Sequence, residues 1–392
     1  MAGCGPAGLA AALLLVRDGH SVRLFEEFEA PRPLGSGLML QPTGLAVLRR
    51  LGLAEAAIGS GARIDRLFGL VCPSGRKVLD VRYDWLAGGH FGVGIHRAAL
   101  FGLLFDAVRN AQVPIATSRT VYGTEGSAGR RRLLFADGGQ SKEFDLVIDC
   151  LGATSPLSRP GRPLAYGALW ASLDWPPASA FDAAALEQRY WRASRMVGVL
   201  PIGTPPGGGK PKAAYFWLLR GDRHQRWLQA GLDAWKDEAR ALWPETAPLL
   251  DQIDSAERLT FARYEHRTHP RPAEPGLIHI GDSWHSTSPQ LGQGANMALL
   301  DAWALALALR EEPDLPNALE RAVRLRRRHV RLFQAMSALF TPAYQSDSRL
   351  LPFLRDQIVG PFSRFWPATR IQAAMVSGLF GNPLQPLGLT PG

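Results

Sequence analysis

The chain has 392 residues, of which 46% are hydrophobic and 20% are charged, so it is globular rather than disordered. This length predicts two domains, and no apolar run is long enough to span a bilayer. The net charge is +9, but the arginines are spread along the chain and no nucleic-acid-binding motif is present, so we expect no nucleic-acid partner.

The three cysteines, Cys4, Cys72 and Cys150, form no CxxC pair. An odd and sparse set predicts neither a disulfide framework nor a metal site. The N-terminus also lacks the pattern of a secretory signal. A reducing, cytoplasmic location is therefore the favoured interpretation.

The first element is a glycine turn that opens an apolar helix. Glycines at this spacing let the backbone turn tightly and approach a pyrophosphate, while the helix start offers free N–H groups and a positive dipole end. Glu26, at the end of the next strand, is suited to a ribose diol. An ordinary glycine turn is the alternative, and Glu27 is the alternative ribose ligand. The residues predicted to surround the pyrophosphate are Gly3, Gly5, Pro6, Ala7 and Gly8.

Only Met1 and Ala2 precede this turn, although such a turn should follow a buried strand. We therefore expect the first, central strand to be truncated. The alternatives are a mis-assigned start and a fold that tolerates an empty central position. An empty position would leave backbone groups of two strands unpaired, at about 1–3 kcal/mol each if buried.

Residues 163–275 differ in character from the rest of the chain. They alternate short aromatic strands with one predicted amphipathic helix over 226–253. Strand and helix alternate on both sides of this stretch, as in a parallel sheet. The sequence therefore predicts an α/β fold with a second domain inserted into the first.

The block over residues 281–296, GDSWHSTSPQLGQGAN, follows an apolar strand and opens a long apolar helix. It resembles the second FAD signature of the class A flavoprotein monooxygenases, the aromatic hydroxylases related to p-hydroxybenzoate hydroxylase. The glycine turn and Glu26 resemble the first signature, and the resemblance covers nearly the whole chain. It implies a Rossmann-like FAD-binding domain, an inserted mixed β-sheet substrate domain and C-terminal helices. The expected bounds are 1–62, 96–162 and 276–325 for the FAD-binding domain, 63–95 and 163–275 for the substrate domain, and 326–392 for the helical region.

The resemblance also implies roles for individual residues. Asp282 would bind the ribityl chain or pyrophosphate of FAD, Arg97 would contact the pyrophosphate, and Pro289 would line the flavin face where oxygen reacts. Gln41 belongs to the segment over 35–42 that would run beside the flavin. The residues expected to present backbone N–H groups to the flavin pyrimidine edge are Gly292, Gly294, Ala295 and Asn296. His285 is either a catalytic base or, as we favour, a loop-ordering residue that bonds backbone groups.

The implied reaction inserts one oxygen atom of O₂ into an aromatic or unsaturated small molecule through a flavin C4a-hydroperoxide, with NAD(P)H as electron donor. No catalytic side chain is assigned, because the cofactor supplies the chemistry. Leu151 stands where the family has an aspartate, and Asp149 lies two positions earlier, farther from the turn. This departure puts direct reduction by NAD(P)H in doubt. The alternatives are a halogenase or reductase of the same fold, or a flavin-binding protein without monooxygenase activity.

Two features near the C-terminus have simpler interpretations. A basic run on one predicted helix is expected to be a solvated face; its members are Arg324, Arg326, Arg327, Arg328 and Arg331. The tail resembles that of quinone-ring hydroxylases and is expected to cap the FAD domain, the alternative being a peripheral membrane contact. Its apolar residues at helical spacing are Leu350, Leu351, Leu354, Ile358, Phe362 and Phe365.

Overall fold

The computed structural model describes residues 1–30, 36–127, 129–177, 179–362 and 365–391, with the side chain of Phe362 outside that description. The helices α1–α12, in chain order, are Pro6–Arg17, Pro42–Leu51, Ala54–Ser60, Arg97–Asn110, His224–Ala230, Leu232–Leu242, Ala247–Leu250, Gly294–Glu311, Leu315–Tyr344, Leu350–Leu354, Gly360–Phe362 and Ala368–Val376.

The strands β1–β19, in chain order, are Leu24–Phe25, Gly37–Leu40, Ala62–Ile64, Arg66–Val71, Arg76–Arg82, Gly92–His96, Ile115–Ala116, Val121–Ser127, Arg130–Phe135, Val147–Asp149, Arg162–Pro163, Tyr166–Asp174, Ala185–Trp191, Arg195–Pro201, Lys212–Arg220, Thr260–Ala262, Glu265–His266, Ala273–Glu274 and Leu277–His279. The chain thus has the mixed α/β fold that the sequence predicts.

The first sheet is parallel around a very short central segment, with one antiparallel strand, β18, at the outer side of β19. Ala2 lies between β1 and β10, bridged in parallel to Phe25 on one side and Asp149 on the other. Its N–H donates to Ile148 O at 2.9 Å, and its carbonyl accepts Cys150 N at 2.8 Å. On the outer sides, β1 pairs with β7 and β10 pairs with β19, both in parallel. The central position is therefore occupied by two residues, and the alternative of an empty position is wrong.

The second sheet has seven strands in the order β16–β12–β15–β14–β13–β4–β5. Strands β4 and β5 precede α4 in the chain, yet β4 pairs in parallel with β13. One face of the sheet buries Tyr83, Tyr190 and Phe216, and the other face packs against Trp235 of α6. Aromatic residues therefore fill both faces of this sheet.

The single helix predicted over 226–253 is wrong. The segment forms α5, α6 and α7, because Gly231 adopts a left-handed backbone (φ 87°) and Pro244 follows Trp243 at the end of α6. Proline has no N–H to continue a helix, and glycine tolerates positive φ. The apolar periodicity continued across both breaks and concealed them.

The tail does not cap the molecule with the residues that the helical spacing indicated. Leu350 and Phe365 are 64% and 68% exposed, and Leu351 and Ile358 are also exposed. The tail instead buries Ala373 and Val376 of α12 and the later residues Leu384, Leu387 and Leu389. Periodicity reports an apolar face but not what covers it. Among the described residues, no helix is both long and apolar enough to cross a membrane.

Candidate active site

The glycine turn is shaped by close backbone contacts. A Cβ on Gly3, whose φ is 99°, would lie 2.6 Å from Cys150 O, and one on Gly8 would lie 2.2 Å from Gly3 O. A Cβ on Gly5, by contrast, would meet no atom within 4 Å. Helix α1 then begins at Pro6 without a side-chain cap. Gly3 and Gly8 thus bring chain segments together, while Gly5 borders an open space at a positively polarised helix start and Ala7 is buried behind it.

Glu26 joins the end of β1 to this turn. Its buried carboxylate accepts the N–H of Cys4 at 2.9 Å and the N–H of Phe28 at 3.3 Å. Glu27 is exposed instead. A carboxylate has about four acceptor positions, so Glu26 keeps capacity for further donors beside the open space.

Asp282 lies opposite the start of α8. Its Oδ1 is 3.9 Å from the position of a Cβ on Gly294, the first residue of that helix. The Asp282 side chain is accessible. Partial desolvation by the surrounding protein raises the pKa of its carboxyl group, while the electrostatic effects of His285, Arg97 and Arg267 lower it. Helix α8 has no side-chain cap. A carboxylate and the free N–H groups of a helix start therefore border the same space.

Arg97 begins α4 near the same place. The helix is capped by His96, whose Nδ1 accepts Ala98 N at 3.1 Å, and the N–H of Arg97 donates to Ser36 O at 2.9 Å. The Arg97 side chain is exposed and forms no ion pair with another described residue, while its charge acts on Asp282. An unpaired cation at a positively polarised helix start is suited to an anion.

Asn296 joins the β2–α2 junction to α8. Its Oδ1 accepts Gln41 N at 2.8 Å, and its Nδ2 donates to Met39 O at 3.0 Å and Gly292 O at 3.1 Å. These hydrogen bonds occupy the Asn296 side chain. What Asn296 adds to the free N–H groups at the helix start, beside those of Gly294 and Ala295, is therefore its backbone N–H. Gly35, at the start of the expected flavin segment, lies outside the described residues.

Pro289 is exposed and begins a short 3-10 turn that ends before Gly292. Gly292 has a left-handed backbone with φ 60°, which redirects the chain into α8. A Cβ there would lie 3.9 Å from Nε2 of Gln41. The turn thus brings Pro289, Gly292 and the Gln41 amide into one neighbourhood.

Asp301 of α8 holds the loop that carries Asp282. Its Oδ2 accepts the N–H of Gly281 at 3.0 Å and lies 2.6 Å from His285 Nε2, while its Oδ1 accepts Arg326 Nε at 2.8 Å. Burial alone would raise the pKa of Asp301, but the charges and hydrogen bonds of His285 and Arg326 lower it to about 2. The network continues through His329, whose pKa is lowered by burial and by Arg326.

This network corrects two expectations. His285 bonds a carboxylate rather than backbone groups, although it does order the loop. Arg326 is 1% exposed and belongs to the network, whereas the other four arginines of the basic run are exposed. Arg326 is buried because α9 turns that side toward α8, where Asp301 supplies the partner charge.

Asp149 organises the turn after β10, where Leu151 replaces the expected aspartate. Its Oδ1 accepts Leu151 N at 3.0 Å, and its Oδ2 accepts Ser155 Oγ at 2.6 Å and lies 2.7 Å from His279 Nδ1. Asp149 precedes Leu151 by two positions and so lies farther from the turn along the chain, as expected from the sequence. Its carboxylate is fully buried and reaches the turn directly.

Three residues of the candidate site were not predicted from the sequence: Arg267, Tyr83 and Asp301. Arg267 is buried, and its charge lowers the pKa of Asp282. Two of its nitrogens, Nε and Nη1, have no hydrogen-bond partner among the described residues. Tyr83 lies in the inserted segment and donates to Gln41. Neither position belongs to a recognisable motif. Asp301 did carry a signal, since it follows the 281–296 block on the same helix.

The arrangement fits FAD. Open space at Gly5, uncapped starts of α1 and α8, and the unpaired cation Arg97 suit a pyrophosphate and an anionic ring edge.

Comparison with known proteins also indicates an FAD-binding chain. The sequence profile of the FAD binding domain family matches residues 1–332. The chain is 27% identical to 6-hydroxynicotinate 3-monooxygenase of Pseudomonas fluorescens, over 79% of this chain and 81% of that protein. It is 25% identical to 3-hydroxybenzoate 6-hydroxylase 1 of Aquipseudomonas alcaligenes, over 83% of this chain and 84% of that protein.

Solved structures share the fold. 2-Methyl-3-hydroxypyridine-5-carboxylic acid oxygenase has a TM-score of 0.77 at 19% identity, covering 98% of this chain and 96% of that one. Klebsiella pneumoniae HpxO, solved with FAD and uric acid, gives the same values. These relatives do not favour the halogenase, reductase or inactive alternatives. The chain therefore belongs to the FAD binding domain family and is an FAD-dependent monooxygenase.

Proposed function

We propose that this chain inserts one atom of O₂ into a small aromatic or unsaturated molecule, with FAD held between the glycine turn and the start of α8. The accessible carboxylate of Asp282, 3.9 Å from the Cβ position of Gly294 at the uncapped start of α8, carries this proposal. FAD, when bound, supplies the oxygen chemistry. The residues of the chain bind it, orient it and exclude water.

For the phosphates and sugars, we propose that the start of α1 and Arg97 bind the pyrophosphate and that Glu26 accepts a ribose hydroxyl. Asp282 accepts hydroxyl donors of the ribityl chain or neighbours the pyrophosphate. Charge-assisted hydrogen bonds of this kind contribute about 1.5–3 kcal/mol each. Asp282→Asn should therefore raise the FAD dissociation constant about tenfold to hundredfold in a fluorescence titration. An unchanged constant in a folded variant would remove Asp282 from the site.

For the flavin ring, we propose that Gly294, Ala295 and Asn296 present backbone N–H groups to its pyrimidine edge, with Pro289 beside the reactive face. The N–H of Gly292, which was expected to take part, donates instead to Pro289 O at 2.9 Å within the turn. A helix start stabilises the negative charge that a reduced flavin carries at this edge. The network around Asp301 supports this role, because it holds both ends of the loop from Gly281 to His285 in place.

For the substrate, we propose the inserted region, 63–95 and 163–275, as the binding domain. Its sheet carries Trp170 stacked on Phe216 at 4.7 Å, and Trp170 Nε1 donates to Tyr264 OH at 2.8 Å. Trp170 is half-buried, and an aromatic side chain of this kind can stack on a planar ring. Two relatives are named for 6-hydroxynicotinate and 3-hydroxybenzoate, which makes these compounds the first probes. Oxygen consumption with either, and a product that carries one added oxygen atom, would support the assignment; uptake that forms only hydrogen peroxide would oppose it.

For the electron donor, we propose NAD(P)H. Asp149 supports this, because it holds the turn after β10 in spite of Leu151. Anaerobic mixing of the flavin-loaded protein with NADH and with NADPH tests it, with dithionite as a control for reducibility. Bleaching of the flavin absorbance by either nucleotide is expected. Bleaching by dithionite alone, even with the aromatic probes present, would indicate a separate reductase.

For the location, we propose the cytoplasm, since Cys4, Cys72 and Cys150 are all unpaired. We also propose that the exposed apolar residues of the tail contact an anionic membrane surface. Exposed Phe365 and Trp366 lie near exposed Arg349 and Arg370 in the chain, a composition typical of peripheral membrane contacts. The test is flotation with anionic liposomes at low salt, and a protein that stays at the bottom would dismiss the contact.

A further inference from the structure

A cavity lined by four arginines opens on the outer side of α9. Its volume is about 330 Å³, and its lining residues are Arg324, Arg327, Arg328 and Arg331. All four side chains are exposed, and Arg324 lies 3.9 Å from an exposed acid, Glu320. The other three form no ion pair with another described residue. Four guanidinium groups therefore surround one space with little compensating negative charge.

The spacing of these arginines favours a bound anion. Arg324 and Arg328 are four positions apart on α9, as are Arg327 and Arg331, and like charges at this spacing repel each other. An anion between them offsets that repulsion. The planar guanidinium group also forms paired hydrogen bonds with phosphate oxygens. This face of α9 is thus suited to a ligand that carries more than one phosphate group.

A smaller cavity adjoins the first and contains a buried histidine. It shares Arg327 and Arg331 with the larger cavity, has a volume of about 40 Å³, and is also lined by His269 and by Trp284 of the FAD loop. His269 is 8% exposed, and its Nδ1 accepts the N–H of Arg271 at 3.2 Å. Its Nε2 makes no hydrogen bond with a described residue, yet it is not one of the buried atoms without a partner. This nitrogen is therefore accessible from the cavity.

The accessible Nε2 of His269 is a hydrogen-bond donor. Burial, followed by the charges of His279 and Arg159, lowers the pKa of His269, so the ring is neutral near neutral pH. Because Nδ1 accepts the N–H of Arg271, the single proton of the neutral ring lies on Nε2. Glu274 acts on this pKa in the opposite direction but is exposed. The smaller cavity thus adds an N–H donor to the two arginines that it shares.

We propose that the two cavities form one binding site for a small diphosphate. The arginines bind its phosphate oxygens, with Arg327 and Arg331 between the two parts of the site, and His269 Nε2 donates to an oxygen that enters the smaller cavity. Inorganic pyrophosphate and nucleotides share this chemistry. The site is additional to the one for FAD, since none of the residues assigned to FAD is among the described residues that line the two cavities.

The test is calorimetric titration of the FAD-loaded protein with inorganic pyrophosphate and with ADP, because bound FAD already occupies the cofactor site. One variant combines Arg327→Gln with Arg331→Gln. His269→Phe keeps a ring to stack on His279 but removes the Nε2 donor. The matched control combines Arg82→Gln with Arg226→Gln, which removes the same charge from exposed arginines that are not among the residues lining either cavity.

We expect saturable binding of pyrophosphate to the wild-type protein at one site per chain. The arginine variant should weaken it about tenfold or more, His269→Phe about threefold to tenfold, and the control less than about twofold. Tighter binding of ADP than of pyrophosphate would identify a nucleotide as the ligand, and equal or weaker binding a free diphosphate. The absence of saturable binding, or equal weakening by the arginine variant and its control, would overturn the proposal. Wild-type affinity in folded His269→Phe would overturn the joining of the two cavities into one site.

Discussion

His285 Nε2 lies 2.6 Å from Oδ2 of Asp301, and both side chains are buried. The same oxygen accepts the N–H of Gly281, immediately before Asp282. One carboxylate on α8 therefore fixes the loop on both sides of the accessible aspartate. The position of the Asp282 side chain therefore depends on the buried carboxylate of Asp301.

Asp301→Asn should destabilise the protein strongly, because it removes the charge that compensates Arg326. Breaking a buried ion pair from one side costs about 3–5 kcal/mol. Urea unfolding measures this, with Asp254→Asn as the control, since Asp254 is 77% exposed and 3.8 Å from Arg258. Equal unfolding free energies for the two variants would contradict the role of the network.

The two neighbouring arginines Arg326 and Arg327 should respond differently to the same substitution. Arg326→Met removes the guanidinium partner of the buried Asp301 carboxylate and should cost about 3–5 kcal/mol of unfolding free energy. Arg327 is exposed, so Arg327→Met should change it by no more than about 0.5 kcal/mol. Thermal or urea unfolding distinguishes them, and a larger loss for Arg327→Met would refute the placement of α9.

The pH dependence of stability follows from the lowered pKa of Asp301. Its folded-state pKa is about 2, against an ordinary 3.8. The carboxylate therefore contributes stability that is fully present above the ordinary pKa and is lost as the pH falls toward the folded value. The difference in unfolding free energy between wild type and Asp301→Asn should shrink as the pH falls below about 4. A difference that is constant between neutral and acidic pH would contradict this.

Gly5 and Gly8 should separate cofactor binding from folding. A Cβ on Gly5 meets open space, so Gly5→Ala should leave apoprotein stability unchanged while it obstructs the pyrophosphate and weakens FAD about tenfold. A Cβ on Gly8 would lie 2.2 Å from Gly3 O, so Gly8→Ala should destabilise the apoprotein by about 1–3 kcal/mol. Apoprotein melting and FAD titration measure the two effects. If Gly5→Ala binds FAD as wild type does, the phosphate site lies elsewhere.

The site residues that can be predicted from the sequence are those that belong to a local motif. The glycine turn, Glu26, Arg97 and the 281–296 block are recognisable because each combines a backbone requirement with a charge at a fixed offset. In the structure a Cβ on Gly281 would lie 3.3 Å from Ala7 Cβ of the glycine turn, and the charge of Arg97 lowers the pKa of Asp282. The fold class and the monooxygenase family follow from the same motifs, and relatives agree with both.

The remaining features depend on what packs against a residue, which spacing does not report. Arg326 belongs to a basic run but is buried, because Asp301 lies on the facing helix. Leu350 and Phe365 have apolar helical spacing but no covering element among the described residues. Tyr83, which follows β5, donates to Gln41, which precedes α2, although 42 positions separate them in the chain. Such long-range pairs require the three-dimensional structure.

The most direct test of the account is the fate of isotopically labelled O₂. The FAD-loaded protein is supplied with NADH or NADPH, or with dithionite-reduced flavin, and with 3-hydroxybenzoate or 6-hydroxynicotinate. Mass spectrometry of the product should find a single labelled oxygen atom, which the Asp282→Asn variant forms more slowly. Consumption of these compounds to a product without labelled oxygen would contradict the monooxygenase assignment.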